Sequence, residues 1–431
     1  MRGAVVGDTE QLVEYSAEMH REPGREDPAV WIGEWVRDLM TKPHPTTSLD
    51  DIIVVEDTAT GKIVSSTVYF TQTWTYSSVE FPSGQPELVS THPDYRNRGL
   101  IRQQFAKMHE WGEQRGHLAQ CIEGIPYYYR QFGYEMALEM PLERTAAAES
   151  VAGWKEGEQR TVSLRPATPD DLDFIKQLYD SSQSRSLVSA SVGHEDIRYL
   201  LFARSSGNAV SVQPLIAEDV QGERLGYAVT KTVLPIEQAW VYAAEFADSA
   251  LWSRHGASFL KALKSSLEEQ TNEQGKRVKK LAMALPAGHP LLTHLGWEFA
   301  PIRRRPYAAY VRVPDLVAFL RKIKPVLEQR LIGTAHEGYT GDLLISFYRT
   351  GVRLRFSGGE LAGADRVKFP ERQQASVHFP DLTFLQMVFG RRSFAELHDA
   401  FVDCNVKSGT EADLMDTLFP KRSSNMVFAP N

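Results

Sequence analysis

The sequence predicts a mixed α/β protein made of two related units followed by a third, α+β unit. Three observations carry that expectation. Arg2-Gly3-Ala4, followed by Asp8 and Leu12, has a counterpart in Arg165-Pro166-Ala167, followed by Asp171 and Ile175. Phe132-Gly133-Tyr134 is matched in the same way by Leu295-Gly296-Trp297. The offset is 163 residues in both cases (165 minus 2, 296 minus 133). A shared offset marks a duplicated fold.

In the first unit, Arg2 to Ala4 reads as a short strand and the apolar period after it as a helix to about Met19. Trp31 and Trp35 fall on one helix face, where they either wall a binding site or pack inward. Ile52–Val55 and Ile63–Phe70 are strand-like, joined by the hairpin segment 57–61. Leu88–Thr91 is a further strand and Gly99–Gln114 a helix. Residues 145–159 lack an apolar pattern and read as a linker. The second unit opens with Thr168-Pro169-Asp170-Asp171, a cap, an N1 proline and an acidic first turn. The third begins near Val313, with a helix from Pro314-Asp315 to Leu327, strands at 343–348 and 352–356, and short helices at 394–401 and 412–418. The expected domains are 1–145, 160–311 and 312–431.

Composition narrows the function classes. Among 431 residues, 42% are hydrophobic and 24% charged, which excludes wholesale disorder. Two cysteines, Cys121 and Cys404, are too few for a disulfide framework or a thiolate zinc site. The net charge of −7 argues against a general nucleic-acid binder and favours a cationic partner. No membrane span or signal peptide is legible, so a cytoplasmic, soluble protein is expected. No His-Glu-x-x-His or Gly-x-Ser-x-Gly occurs, and no metal is expected. Lys276-Arg277-x-Lys279-Lys280 and Arg303-Arg304-Arg305 read as solvated faces.

The chemistry concentrates in two stretches. Val89-Ser90-Thr91 ends a strand, and Arg96-Asn97-Arg98-Gly99-Leu100-Ile101-Arg102 is a basic, glycine-containing loop that opens a helix. The free N–H groups of a helix N-terminus suit a pyrophosphate, Gly99 permits close approach, and Arg96, Arg98 and Arg102 add charge. Thirty residues on, Glu123-Gly124-Ile125-Pro126-Tyr127-Tyr128-Tyr129 leads to Gly133-Tyr134. A phenol held over a thiolate can act as a general acid.

Arg96-x-x-Gly99-x-Ile101 resembles the acyl-CoA pyrophosphate loop of the GNAT acetyltransferases, and Tyr128-Tyr129-x-x-x-Gly133-Tyr134 resembles that family's Phe-Tyr-x-x-x-Gly-Phe element. Ile101 departs from the usual Gly or Ala, and Arg-Gly-Leu-Ile-Arg is similar to the enhanced intracellular survival (Eis) branch, with two GNAT units and a sterol-carrier-like domain. The resemblance implies acetyl-CoA as co-substrate, an amine acceptor and a trimeric or hexameric assembly. It implies pantetheine contacts from the backbone of Val89 and Thr91, and Tyr129 as general acid. For the base it implies the C-terminal carboxylate of Asn431; Glu87 and Glu123, near the ends of the two central strands, are rival bases acting through water. The second unit carries Ser253-Arg254-His255-Gly256-Ala257-Ser258 in place of the loop and Leu292 in place of the tyrosine, so it is expected to be inactive. Phe379, Phe384, Leu385, Met387 and Phe389 of the third unit line a lipid cavity or form plain core. The leading expectation is an N-acetyltransferase; the alternative is a non-catalytic acyl-CoA- or lipid-binding protein.

Overall fold

The computed structural model describes all residues except 234–235, 269–274, 300–306 and 369–373. Arg303 to Arg305 therefore lie outside the described residues. The architecture is mixed α/β, and the described residues form three sheets of eight, six and five strands.

The first sheet runs in the order Arg2–Gly3, Ile52–Asp57, Lys62–Tyr76, Val79–Thr91, Ala119–Ile122, Ala308–Arg312, Glu135–Glu139. Val188–Ser191 pairs with the far half of Lys62–Tyr76. The second sheet runs Leu142–Ala147, Lys280–Leu285, Gln238–Phe246, Arg224–Val233, Gln213–Glu218, Ser163–Pro166. The two repeats thus exchange strands. Ala308–Arg312, late in the second repeat, sits between two strands of the first sheet, while Leu142–Ala147 enters the second. Residues 145–147, read from sequence as linker, are therefore strand. Their small side chains carry no apolar signal, but their backbone groups pair with Lys280–Ala282.

The duplication is visible in one local device. Arg2 grips Asp8 through two bonds of 2.6 and 2.8 Å and also pairs with Glu56. Arg165 grips Asp171 at 2.7 and 2.9 Å and pairs with Glu218. Each fork fixes the entry to its helix, Thr9–Met19 or Leu172–Gln183, against a strand of its sheet.

Two sequence expectations need correction. The segment 253–258 is no loop, because it lies inside the helix Leu251–Glu268. The helix expected from Pro314 to Leu327 is two helices, Leu316–Lys322 and Lys324–Leu331. Pro325 sits at the start of the second, where its missing N–H costs nothing. Asp315 caps the first, accepting from the N–H groups of Val317 and Ala318. Phe379, Phe384, Leu385, Met387 and Phe389 are buried in a core shared with Trp74, Tyr76 and Phe81 of the first sheet.

The chain's last segment returns to the other units. Asn425 N–H donates to Val188 O at 2.8 Å, and Phe428 packs between Tyr179 and Tyr227 at 4.7 and 6.3 Å. Phe428 is only 2% exposed. Phe428→Ala should cost about 3 kcal/mol, read as an earlier urea midpoint. An unchanged midpoint would mean that the segment is not seated there.

Candidate active site

The strands Val79–Thr91 and Ala119–Ile122 run parallel, with register partners at Ser83–Ala119 and Gly84–Gln120. Beyond those pairs they part, and a cleft of about 880 Å³ opens between residues 87–91 and 122–124. A bulge sharpens the divergence. Ser66 is opposite Ser90 while Val68 is opposite Glu87, so Leu88 and Val89 together face Thr67. Leu88 takes φ 52° to make that bend, a left-handed conformation costing about 1–2 kcal/mol. Thr67 Oγ1 holds it by donating to Glu87 O at 3.0 Å.

The cleft continues onto the loop. Asn97 and Gly99 have φ of 63° and 75°. A Cβ on Gly99 would meet nothing within 4 Å, so conformation rather than space selects glycine there. Gly99 caps the helix Leu100–Gln114, whose first bond runs from Gln103 N–H to Gly99 O at 3.1 Å. The N–H groups of residues 100–102 precede that bond and carry the positive end of the helix dipole. This is the donor set a pyrophosphate requires.

Of the residues singled out from sequence, Val89, Ser90, Thr91, Arg96, Asn97, Gly99, Leu100, Ile101, Arg102 and Tyr129 all line this cleft. Arg98 lies outside its lining: its guanidinium stacks on Tyr95 at 4.6 Å and donates to Asp94 O. Arg102 donates to Gln131 at 2.9 Å, fastening the loop helix to the tyrosine turn. Asn431 lines a second cavity of about 520 Å³ between the first two units, which Glu123 also borders. Its main-chain oxygen and its Oδ1 both accept from Arg204.

Tyr129 lies on the short 3₁₀ turn Tyr128–Phe132, whose flanking Tyr127 and Gly133 are both left-handed. Its ring is 4% exposed and packs against Phe105 and Tyr310 at 5.7 and 5.6 Å. Burial, reinforced by Glu87 and the neighbouring tyrosines, holds its phenol well above the ordinary value, so it stays protonated across the working range. Burial also pushes Glu87 up to about 7, with the like charge of Glu123 adding and the Gln85 amide opposing. Glu123 is raised by burial too, although it opens onto both cavities.

Several contributors were not legible in the sequence. Tyr307 donates to Gly124 O, and Tyr310 accepts from Tyr127 N–H, so the second repeat builds part of the first repeat's site. Only the strand exchange reveals this. Gly124 was quoted within its motif without a role. A Cβ there would stand 2.5, 3.0 and 3.1 Å from Tyr129 ring and hydroxyl atoms. Gly124→Ala should displace the phenol and lower kcat by about 10²-fold, with the KM for the acyl donor little changed. Steady-state rates check this, and an unaltered kcat would place Tyr129 outside the chemistry.

In the second repeat, Leu292 is buried in an apolar core with Trp252 and Phe259, and Gly256 lies against His294 within a helix. Among the described residues no group of three His, Cys, Asp or Glu side chains is placed to hold a metal. No described helix is long and apolar enough to cross a membrane.

Comparison with known proteins agrees with this geometry. Residues 8–137 match the acetyltransferase (GNAT) domain family. No curated protein matches the chain. Among solved structures, a probable N-acyltransferase from Enterococcus faecalis V583 superposes with TM-score 0.67 at 14% identity, covering 99% of this chain and 98% of that one. A GCN5-related N-acetyltransferase from Kribbella flavida gives 0.63 at 15%, covering 99% and 98%. Eis1 from Mycobacterium abscessus gives 0.61 at 13%, covering 98% of each chain. At such identities the likeness establishes the fold.

Proposed function

We propose that this chain, which carries a GNAT acetyltransferase domain, is an N-acetyltransferase that moves the acetyl group of acetyl-CoA to a primary amine. The acceptor class is a small cation, an aminoglycoside-like amine or a lysine side chain. The observation that supports it best is the parted strand pair, with Tyr129 and Glu87 lining the cleft and the free N–H groups of residues 100–102 in its wall. The bulge at Leu88–Val89 turns main chain towards that cleft, where pantetheine amides can be paired.

In this reading the amine arrives from the second cavity, past Glu123, whose charge draws an ammonium group inward. Glu87 takes one amine proton through water. The neutral amine attacks the thioester carbonyl, the C–N bond forms and the C–S bond breaks; Tyr129 gives its proton to the departing thiolate, and the nitrogen loses its surplus proton to solvent, from which Tyr129 is reprotonated. Asn431 is the weaker base, because an oxygen engaged by the Arg204 guanidinium is poorly basic. The third unit serves as a structural body, sterol-carrier-like in resemblance, that returns residues 425–431 to the second cavity. A trimer- or hexamer-based cytoplasmic assembly completes the proposal.

The test is thiol release from acetyl-CoA with polyamines, aminoglycosides and lysine peptides. Amine-dependent release with acetylated product is expected. Acyl-CoA binding without turnover on any amine would make the chain a binding protein instead.

A further inference from the structure

The wall between the two cavities contains a continuous line of hydrogen bonds, buried except for the part-buried last one at Glu87. Trp74 Nε1 donates to Gln72 Oε1 at 2.8 Å. Gln72 Nε2 donates to Gln85 Oε1 at 2.7 Å and to the main-chain oxygen of Pro430 at 2.8 Å. Gln85 Nε2 then donates to Glu87 Oε1 at 2.7 Å. Trp74 and Gln85 border the second cavity, and Glu87 borders the acyl-donor cleft.

The polarity of this line is forced. An indole N–H can only donate, so Gln72 must present its oxygen to Trp74 and its nitrogen to both remaining partners. Gln85 must then receive with its oxygen and donate onward with its nitrogen. Trp74 and Gln72 are 0% and 1% exposed and Gln85 7%, so water cannot replace a lost partner cheaply. No amide in the line can flip without stranding a buried donor.

We propose that Trp74, Gln72 and Gln85 form a positioning line that makes the orientation and protonation of Glu87 depend on the seating of residues 426–431. With the segment seated, Pro430 fills the second donor site of Gln72. Gln72 then locks Gln85, and the Gln85 amide N–H is aimed at the Glu87 carboxylate. With it unseated, Gln72 has a spare buried donor and Gln85 is free to turn. The other groups facing Glu87 are Glu123 and Cys121 from the neighbouring strand and its end, and Tyr129 from the turn. Arg96, Arg102 and His20 line the same cleft. None of them lies on the line from Pro430. Gln72, Gln85 and Trp74 are therefore positioning residues, and the inference rests on Glu87 being the base.

The experiment titrates Glu87 in the full chain by carboxyl ¹³C NMR, the signal being assigned with Glu87→Gln, alongside pH–rate profiles. Gln85→Met should raise the Glu87 midpoint by about one pH unit, since a hydrogen bond to the charged form is lost. Gln72→Met, which leaves the Gln85–Glu87 pair itself untouched, should move it the same way by a smaller amount. So should deletion of residues 426–431. A Gln72→Met titration that superimposes on wild type overturns the line, and it does so even if the deleted chain fails to fold. A Gln85→Met midpoint that stays put overturns it as well. The base reading fails separately, if Glu87→Gln leaves the acid limb of the rate profile in place.

Discussion

Tyr129→Phe is expected to lower kcat by about 10² to 10⁴-fold, the range of general acid catalysis, with acetyl-CoA affinity nearly unchanged. The substitution removes one oxygen and keeps the ring, so the packing against Phe105 and Tyr310 survives. The phenol is held in its protonated form by burial and by the neighbouring Glu87. That environment keeps the proton on the phenol until a thiolate forms beside it, and leaves no phenolate beforehand. Rapid-quench single turnover separates the chemical step from product release. A Phe variant that keeps the wild-type rate would mean that solvent protonates the leaving group.

Glu87→Gln should remove the acid limb of kcat/KM. In wild type the rate should rise with pH through a midpoint near the value of about 7 to which Glu87 is pushed. The two carboxyls interact, so that midpoint belongs to the pair. Glu123→Gln should accordingly move the limb down, because it removes the like charge that raises Glu87. It should also raise the amine KM. Stability carries a matching signature. Because the folded carboxyl has the higher pKa, the folded chain keeps a proton that the unfolded chain releases as pH rises from 4.5 to about 7. This group's contribution to stability is present below that interval and lost above it, by about 3 kcal/mol. Glu87→Gln should therefore unfold later than wild type at pH 8 and no later at pH 4. Equal midpoints at both pH values would show that burial does not hold the proton.

Much of this site was readable because its parts are local in sequence. The loop at 96–102 and the turn at 128–133 each carry their own conformational cue, Gly99 and Gly133, both left-handed. The duplicated Arg–Asp entry was readable for the same reason. What stayed hidden depends on chain segments far apart. Tyr307 and Tyr310 reach the first site by strand exchange, and Gln72 meets Pro430 across 358 residues. The linker reading of 145–147 failed because those residues are small, and their pairing is decided by main-chain groups. The single helix expected at 314–327 failed because apolar periodicity continues across the break at Ile323–Lys324.

One of the two repeats is expected to bind the acyl donor, at the cleft bounded by Gly99 and Tyr129. Equilibrium titration of the full chain with acetyl-CoA tests it most directly, using wild type and Gly99→Val. One equivalent per chain is expected, with binding at least about tenfold weaker for the valine variant, since a β-branched residue resists φ near 75°. Two equivalents per chain, or a valine variant that binds as wild type does, would contradict it.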